Sequence, residues 1–260
     1  MRIHLERRAN ASVAMMLLSP VLAVGLMLMV SAILFALLGK PPLQALYVYF
    51  IEPLTQAWSL QELVVKATPL VLIGVGLCFC YLSNNWNIGA EGQYVMGAIF
   101  GAWAALLFQG AGSSLGLVTV LVMGALGGAV LALIPAVLKL RFGANEILTS
   151  LMLVYVAELL LDWLVRGPWR DPKALNFPQS VTFDVTIPVL IDGSRIHLGA
   201  VLALASVALG ALLLARSLKG FEIRVLGQAP RAALFAGFSA QRTTLLVFAL
   251  SGALAGLAGV

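Results

Sequence analysis

Long apolar segments alternate with short polar segments along the whole chain. A transmembrane helix needs about 20 consecutive, mostly apolar residues. We predict seven such spans, near residues 11–38, 63–82, 93–108, 115–138, 147–165, 198–215 and 243–260. No soluble domain is visible between them. The pattern therefore predicts an all-α, polytopic transmembrane helix bundle that forms a single domain over residues 1–260.

The composition supports a membrane protein, because 61% of the 260 residues are hydrophobic and only 10% are charged. A soluble domain has about a quarter of its residues charged. The first apolar run follows a basic start, as in a signal peptide, but it is about twice as long as the apolar region of one. We therefore interpret the first span as a retained anchor.

The distribution of Lys and Arg predicts the orientation of the bundle. If the N-terminus is cytoplasmic, the inner segments are 1–10, 139–146 and 216–242, and they hold more of the basic residues than the outer segments do. This bias agrees with the tendency of cytoplasmic loops to be positive. The Pro-rich segment 166–197 is then a periplasmic loop, in which the alternating residues 180–187 predict a short hairpin.

Small residues recur inside the spans and allow helices to approach closely. Pairs four residues apart are Gly97 and Gly101, Gly124 and Gly128, and Gly252 and Gly256. Cys78 and Cys80 lie inside an apolar span and point to different sides of a helix, which disfavours a disulfide between them. We interpret both as small core residues.

Residues 84–93, "NNWNIGAEGQ", place amides, glycines and a carboxylate between two apolar spans, with no Lys or Arg nearby. Polar, glycine-interrupted backbone beside a short span is typical of a discontinuous helix that is buried in protein or lines a watery cavity. An ionisable group inside a membrane indicates a functional site, so Glu91 is a candidate functional carboxylate at depth in the membrane. The alternative is an ordinary cytoplasmic turn, in which Glu91 caps the next helix.

The inner segment 216–242 is long and basic and contains a helical pattern. Proline is favoured in the first turn of a helix, so we predict a short helix that begins at Pro230. Its apolar contacts would be Ala233, Leu234 and Phe238. The segment is interpreted as a docking element for a cytoplasmic partner, and the alternative is a solvated loop or a surface for anionic lipid.

The fifth span carries Glu158, Asp162 and Arg166 on one helical face, and Asp162 is expected to pair with Arg166. Glu158 lines a pathway or pairs within the bundle, and both interpretations stay open. Together with Glu91, it is the only plausible proton or sodium relay for a self-contained secondary transporter. An enzyme is disfavoured, since the sequence has no nucleophile–base set, no metal-ligand spacing and no phosphate-binding glycine loop.

The motifs "NIGAEGQ", "FGANEILTSLML", "RVLGQAPRAALFAGFS" and "LSGALAGLAG" occur in this order. With their spacing, the chain resembles the permease subunits of bacterial ABC importers in the branched-chain amino acid and simple-sugar group. The resemblance covers residues from about 60 to the end and is greatest to the nucleoside and simple-sugar branch.

The resemblance implies an inner-membrane permease subunit that carries nucleosides or simple sugars by alternating access, without a cofactor. It also implies three partners: a second permease subunit, a cytoplasmic ABC ATPase and an extracytoplasmic substrate-binding protein. The pathway residues would be Asn84, Asn87, Glu91, Gln93 and Asn145, and Glu158 is a further candidate because of its own position in the fifth span. The residues that couple to the ATPase would be Arg224, Gly227, Pro230, Arg231, Ala233 and Phe238.

The chain departs from the family pattern at two places. Family members often have Asn where this chain has Val154, and Glu158 is added, which leaves import of branched-chain amino acids as a near alternative. Family members also continue with further spans, whereas "LSGALAGLAGV" ends inside a span without a polar flank. We therefore expect the chain to be a fragment that is truncated at its C-terminus.

Overall fold

A computed structural model describes residues 12–109, 114–175 and 177–260. The predicted inner segment 1–10 lies outside the described residues. The chain divides into two compact units, Met1–Gln61 and Glu62–Val260.

The described part of the first unit consists of one long helix and several short ones. The long helix α1 is apolar except for Ser19 and Ser31, and no residue in its most apolar window is buried within the structure. After Gly39, which has a positive φ of 70°, the short helical turns follow. The elements are α1 (Val13–Leu37), α2 (Pro42–Leu46), a π-helical turn (Tyr47–Ile51) and α3 (Glu52–Thr55).

The helices that follow confirm the predicted all-α class. They are α4 (Ala57–Leu82), which starts at the end of the first unit and continues in the second, α5 (Ala90–Leu107), α6 (Ser114–Phe142), α7 (Glu146–Arg166), α8 (Leu198–Arg216), α9 (Leu218–Gln228), α10 (Pro230–Phe235) and α11 (Ala240–Ala258). Among the described residues, six helices are long and apolar enough to cross a membrane: α1, α4, α6, α7, α8 and α11. The predicted span 93–108 forms α5 but is not one of these six, because α5 begins with the polar residues Glu91 and Gln93.

Close helix packing holds the second unit together at α5, α6 and α11. A methyl group at Gly128 would overlap the backbone of Gly252 and Gly256, and one at Gly97 would overlap the backbone of Gly256. The predicted small-residue positions are therefore close-approach positions. Next to them lies a buried apolar cluster: Phe79, Cys80, Ala132, Ala136, Ile223, Val247 and Phe248.

The two cysteines differ in their surroundings. Cys80 is fully buried, and its thiol donates a hydrogen bond to the Val247 carbonyl oxygen at 3.3 Å. Cys78 is exposed. The expectation that both are core residues is wrong for Cys78, because it lies on the other side of α4 from the cluster.

The long loop between α7 and α8 is irregular. Its described residues contain two isolated β-bridges, Arg170 with Ser180 and Val189 with His197, so the prediction of a hairpin over 180–187 is wrong. Prolines flank that stretch at 178 and 188 and remove backbone donors that a hairpin ladder would need. An ion pair of 2.5 Å between Arg195 and Glu62 ties this loop to α4.

Candidate functional site

The segment that joins α4 to α5, residues 83–89, is not helical: Ser83 and Asn84 form a turn in which Asn84 has a positive φ of 56°, and residues 85–89 have no regular secondary structure. Its side chains alternate: Ser83, Asn85 and Asn87 are buried, whereas the residues between them are exposed. This segment, which we call the amide loop, therefore directs the polar side chains of Ser83, Asn85 and Asn87 towards the interior of the bundle.

Asn87 and Gln93 form a reciprocal pair of amide hydrogen bonds in the interior. The Asn87 amide nitrogen donates to Gln93 Oε1 at 2.9 Å, and the Gln93 amide nitrogen donates to Asn87 Oδ1 at 2.8 Å. Asn87 also donates to Ser251 Oγ on α11 at 3.0 Å and accepts from the Gly89 backbone at 3.2 Å. Both amides are at most 1% exposed, and their hydrogen-bonding groups are used within the protein, as burial requires.

Glycines bring the start of α5 against the backbone of α7. A methyl group at Gly89 would lie 2.8 Å from the Ser150 carbonyl oxygen, and one at Gly92 would lie 2.8 Å from the Val154 Cα atom. The backbone N–H of Ile88 donates to Ser150 Oγ at 3.3 Å. These contacts explain why the motif contains glycine at both positions.

A second polar group, which we call the junction, lies at the start of the amide loop. Lys139, near the end of α6, donates to Asn85 Oδ1 at 2.9 Å and pairs with Glu146 of α7 at 2.5 Å. Thr244 of α11 donates to the same Asn85 oxygen at 3.4 Å. The junction thus joins the loop directly to α6 and α11, and through Lys139 to α7.

The predicted pathway residues fall into two groups. Asn87 and Gln93 are buried and hydrogen-bonded to each other. An ordinary cytoplasmic turn would leave such side chains exposed to water. The others, Asn84, Glu91, Asn145 and Glu158, are exposed. Asn145 caps α7 by accepting from the backbone of Ile147 at 2.9 Å. Glu91 lies in the first turn of α5, where the helix dipole favours a carboxylate.

Helix α9 is seated between the ends of α8 and α4. A methyl group at Gly220 would overlap the backbone of Leu213, and one at Gly227 would overlap the carbonyl oxygen of Leu82. Ile223, on the same helix, is fully buried in the apolar cluster. Two glycines and one apolar side chain therefore fix α9 directly against the helix that leads into the amide loop.

Helix α10 begins at Pro230, as predicted, and presents an apolar tip. Ala233 is fully buried, whereas Phe235 is 94% exposed and Leu234 is 60% exposed. Phe238 lies edge-on to Phe221 of α9, with ring centroids 6.0 Å apart. Of the predicted coupling residues, Arg224, Pro230 and Arg231 are exposed, and Gly227, Ala233 and Phe238 help to hold α9 and α10 in place.

A cavity of about 740 Å³ lies in the second unit, bounded by α4, α5, α6, α8, the C-terminal end of α11 and the α7–α8 loop. Its polar lining includes Lys66, Tyr94, Arg195 and His197, and most of the remaining lining is apolar. Sequence reasoning missed this cavity, because its walls come from segments that are far apart in the chain. It also missed the Lys139–Glu146 pair and Phe235, although "GANEI" and "APRAALF" contain Glu146 and Phe235.

Comparisons with known proteins follow the same motifs. A family model described as "Branched-chain amino acid transport system / permease component" matches residues 59–260. The chain is 35% identical to a glucose ABC transporter permease protein of Haloferax volcanii, over 93% of this chain and 66% of the relative. It is 28% identical to a nucleoside ABC transporter permease protein of Lactococcus lactis, over 94% of this chain and 69% of the relative.

A third relative is a guanosine ABC transporter permease protein of Bacillus subtilis, 30% identical over 76% of this chain and 58% of the relative. The chain thus spans about two thirds or less of the length of these relatives. No solved structure matches the chain.

Proposed function

This chain belongs to the family of permease components of branched-chain amino acid transport systems, and we propose that it forms part of the membrane pathway of an ATP-driven importer. The chain is a multi-pass membrane protein, and we place it in a bacterial plasma membrane with a cytoplasmic N-terminus. Its proposed partners are a second permease subunit, a cytoplasmic ABC ATPase and an extracytoplasmic substrate-binding protein. No catalytic role is proposed for the chain itself.

The observation that carries the proposal is the geometry of α9 and α10. Phe235 and Leu234 are exposed on a short helix that is anchored by the buried residue Ala233. Arg231 is exposed on the same helix. A large exposed aromatic side chain next to a buried anchor is typical of an interaction surface. In the proposed complex, Phe235 enters a groove of the ATPase, and α9 carries the movement of the ATPase to the end of α4.

The proposed pathway lies beside α5 and α7. Glu91 and Glu158 are exposed on α5 and α7, and a carboxylate that faces lipid is costly. We therefore orient them towards water or a second permease subunit, together with Asn84 and Asn145. Asn87 and Gln93 would give the broken backbone its shape and would become available to the solute only when the amide pair opens.

The proposed solutes are simple sugars or nucleosides. This choice rests on the relatives, which are named for glucose, nucleosides and guanosine. The test is to reconstitute the complete transporter with its binding protein in proteoliposomes and to measure ATP hydrolysis with glucose, guanosine and leucine. Stimulation by glucose or guanosine is expected. Stimulation by leucine alone would mean that the solutes are branched-chain amino acids instead of sugars or nucleosides. Uptake that needs an ion gradient but no ATPase would contradict the proposal of an ATP-driven importer.

The docking role of α10 has its own test in the same proteoliposomes. Phe235→Ala is expected to weaken the affinity for the ATPase about 30-fold, with a matching fall in co-purification, since removing a central aromatic anchor costs on the order of 2 kcal/mol. Arg231→Glu is expected to act in the same direction. The matched control is Phe142→Ala, because Phe142 is also an exposed phenylalanine, 75% accessible, at the end of α6. Equal effects of both alanine variants would contradict docking through α10.

A further inference from the structure

The amide loop begins where α9 touches the bundle. Gly227 of α9 contacts the carbonyl oxygen of Leu82 so closely that no side chain fits between them. The next residues, Ser83 to Asn85, already belong to the amide loop. Because packed backbones cannot pass through one another, a displacement of α9 towards α4 must move this part of the loop.

The junction fixes the same part of the loop from the other side. Lys139 donates to the Asn85 side chain at 2.9 Å and pairs with Glu146 of α7 at 2.5 Å. Ser83 Oγ accepts from the Asn85 amide nitrogen at 2.8 Å. Asn85 is therefore held by α6 directly and by α7 through Lys139, immediately beside the contact of the loop with α9.

The two charged side chains are sheltered from water. The side chain of Lys139 is 29% exposed and that of Glu146 is 14% exposed. Removing either partner leaves a poorly solvated charge without its counterion, which is far more costly than loss of an exposed pair. The pair thus favours the arrangement in which the end of α6 and the start of α7 lie together beside the loop, over arrangements in which these two helix ends separate.

We propose that Lys139 and Glu146 are the positioning pair that transmits the movement of α9 to the amide loop. In this role the pair, which we call the latch, connects the movement of α9 to the Asn87–Gln93 amide pair, and neither residue touches the solute. The inference rests on the proposed function, since it requires an ATPase that moves α9. It extends that function to two residues outside the predicted pathway and coupling sets.

The experiment uses the complete transporter in proteoliposomes, with both permease subunits, the ATPase and the binding protein. Lys139→Met, Glu146→Gln and the double variant are compared for ATP hydrolysis and for uptake of labelled glucose and guanosine. Hydrolysis is expected to stay within about twofold of wild type, while uptake per ATP hydrolysed falls about tenfold. The double variant is expected to lose no more than either single variant, because one interaction is removed in all three. Lys139→Arg keeps the positive charge and the hydrogen-bond donors, so uptake per ATP hydrolysed in this variant is expected to stay near the wild-type value.

Two further variants separate a latch from a contribution to folding. Asn85→Ala removes the link to the loop but keeps the ion pair, so it avoids a buried unpaired charge and is expected to uncouple as well. Asp162→Asn breaks an exposed ion pair at the far end of α7 and is expected to keep wild-type coupling.

Parallel loss of hydrolysis, uptake and protein yield would assign the pair to stability and overturn the latch. Unchanged coupling, or additive losses in the double variant, would also overturn it. A wild-type complex that carries no solute at the expense of ATP would instead overturn the proposed function, and the latch with it.

Discussion

Helices α1 and α11 are both apolar enough to cross a membrane, but they differ in how much of each helix is buried. α1 is the more apolar of the two, and none of its span window is buried within the structure. α11 is the less apolar helix, and 44% of its window is buried. Its buried positions include Ser251, Gly252 and Gly256 as well as Val247 and Phe248.

The contrast teaches that hydropathy alone does not indicate which helix enters the core of a membrane protein. In lipid, an apolar side chain loses little by facing outwards, so association depends on close packing and on hydrogen bonds between helices. α11 supplies both, through glycines at the α6 contact and through Ser251 at the amide pair. α1 has two serines and a glycine too, but Gly25 has open space around it.

Truncation of a large side chain should separate the two helices most clearly. Phe248→Ala is expected to lower the free energy of unfolding by about 3–5 kcal/mol, because a fully buried ring leaves a cavity in the apolar cluster. Leu22→Ala in α1, where the side chain is 57% exposed, is expected to change it by less than about 0.5 kcal/mol. Thermal unfolding of the detergent-solubilised permease measures both. Similar losses would mean that α1 is packed as tightly as α11.

A methyl group added to glycine gives the second comparison. Gly256→Ala places a methyl group against the backbone of Gly124 and Gly128, and such overpacking is expected to cost about 1–3 kcal/mol. Gly25→Ala meets no neighbour, and the higher helix propensity of alanine should leave α1 unchanged or slightly stabilised. The rate of proteolysis in membranes reports both changes. Resistance of the Gly256→Ala protein equal to wild type would contradict the close α6–α11 contact.

Removal of a hydroxyl group gives the smallest expected difference. Ser251→Ala removes one acceptor from Asn87 but leaves its bonds with Gln93, so the expected loss is about 1 kcal/mol. Ser19→Ala is the matched control, since Ser19 is exposed on α1, and no change is expected there. Unfolding by titration with denaturing detergent compares the two variants. A larger loss for Ser19→Ala would reverse the comparison between the helices.

The sequence predicts the helical framework well, because length and apolar content are local properties. The start of α10 at Pro230 was also predictable, since proline fixes a backbone angle that suits a first helical turn. Small-residue spacing likewise indicated that Gly128 lies at a close helix contact, although it did not identify α11 as the partner. Each of these signals is contained within one segment of the chain.

The site was less predictable, because its contacts join distant segments. Nothing in the local pattern shows that Asn87 pairs with Gln93 and Ser251, or that Lys139 reaches Asn85. The alternation in residues 180–187 indicated a hairpin, but flanking prolines and the tether at Arg195 shape that loop instead. Phe235 was missed because its orientation depends on burial of Ala233 beneath α10.

The alternation of the amide loop has a consequence for how its length can vary. Because buried and exposed side chains alternate along residues 83–88, inserting or deleting one residue would exchange the two sets. An insertion just after Ser83 would turn an indole towards the interior and remove Asn85 and Asn87 from their partners. The loop therefore tolerates substitution at the outward positions Trp86 and Ile88 far better than any change in residue count, whereas the positive φ of 56° at Asn84 favours Asn, Asp or Gly there.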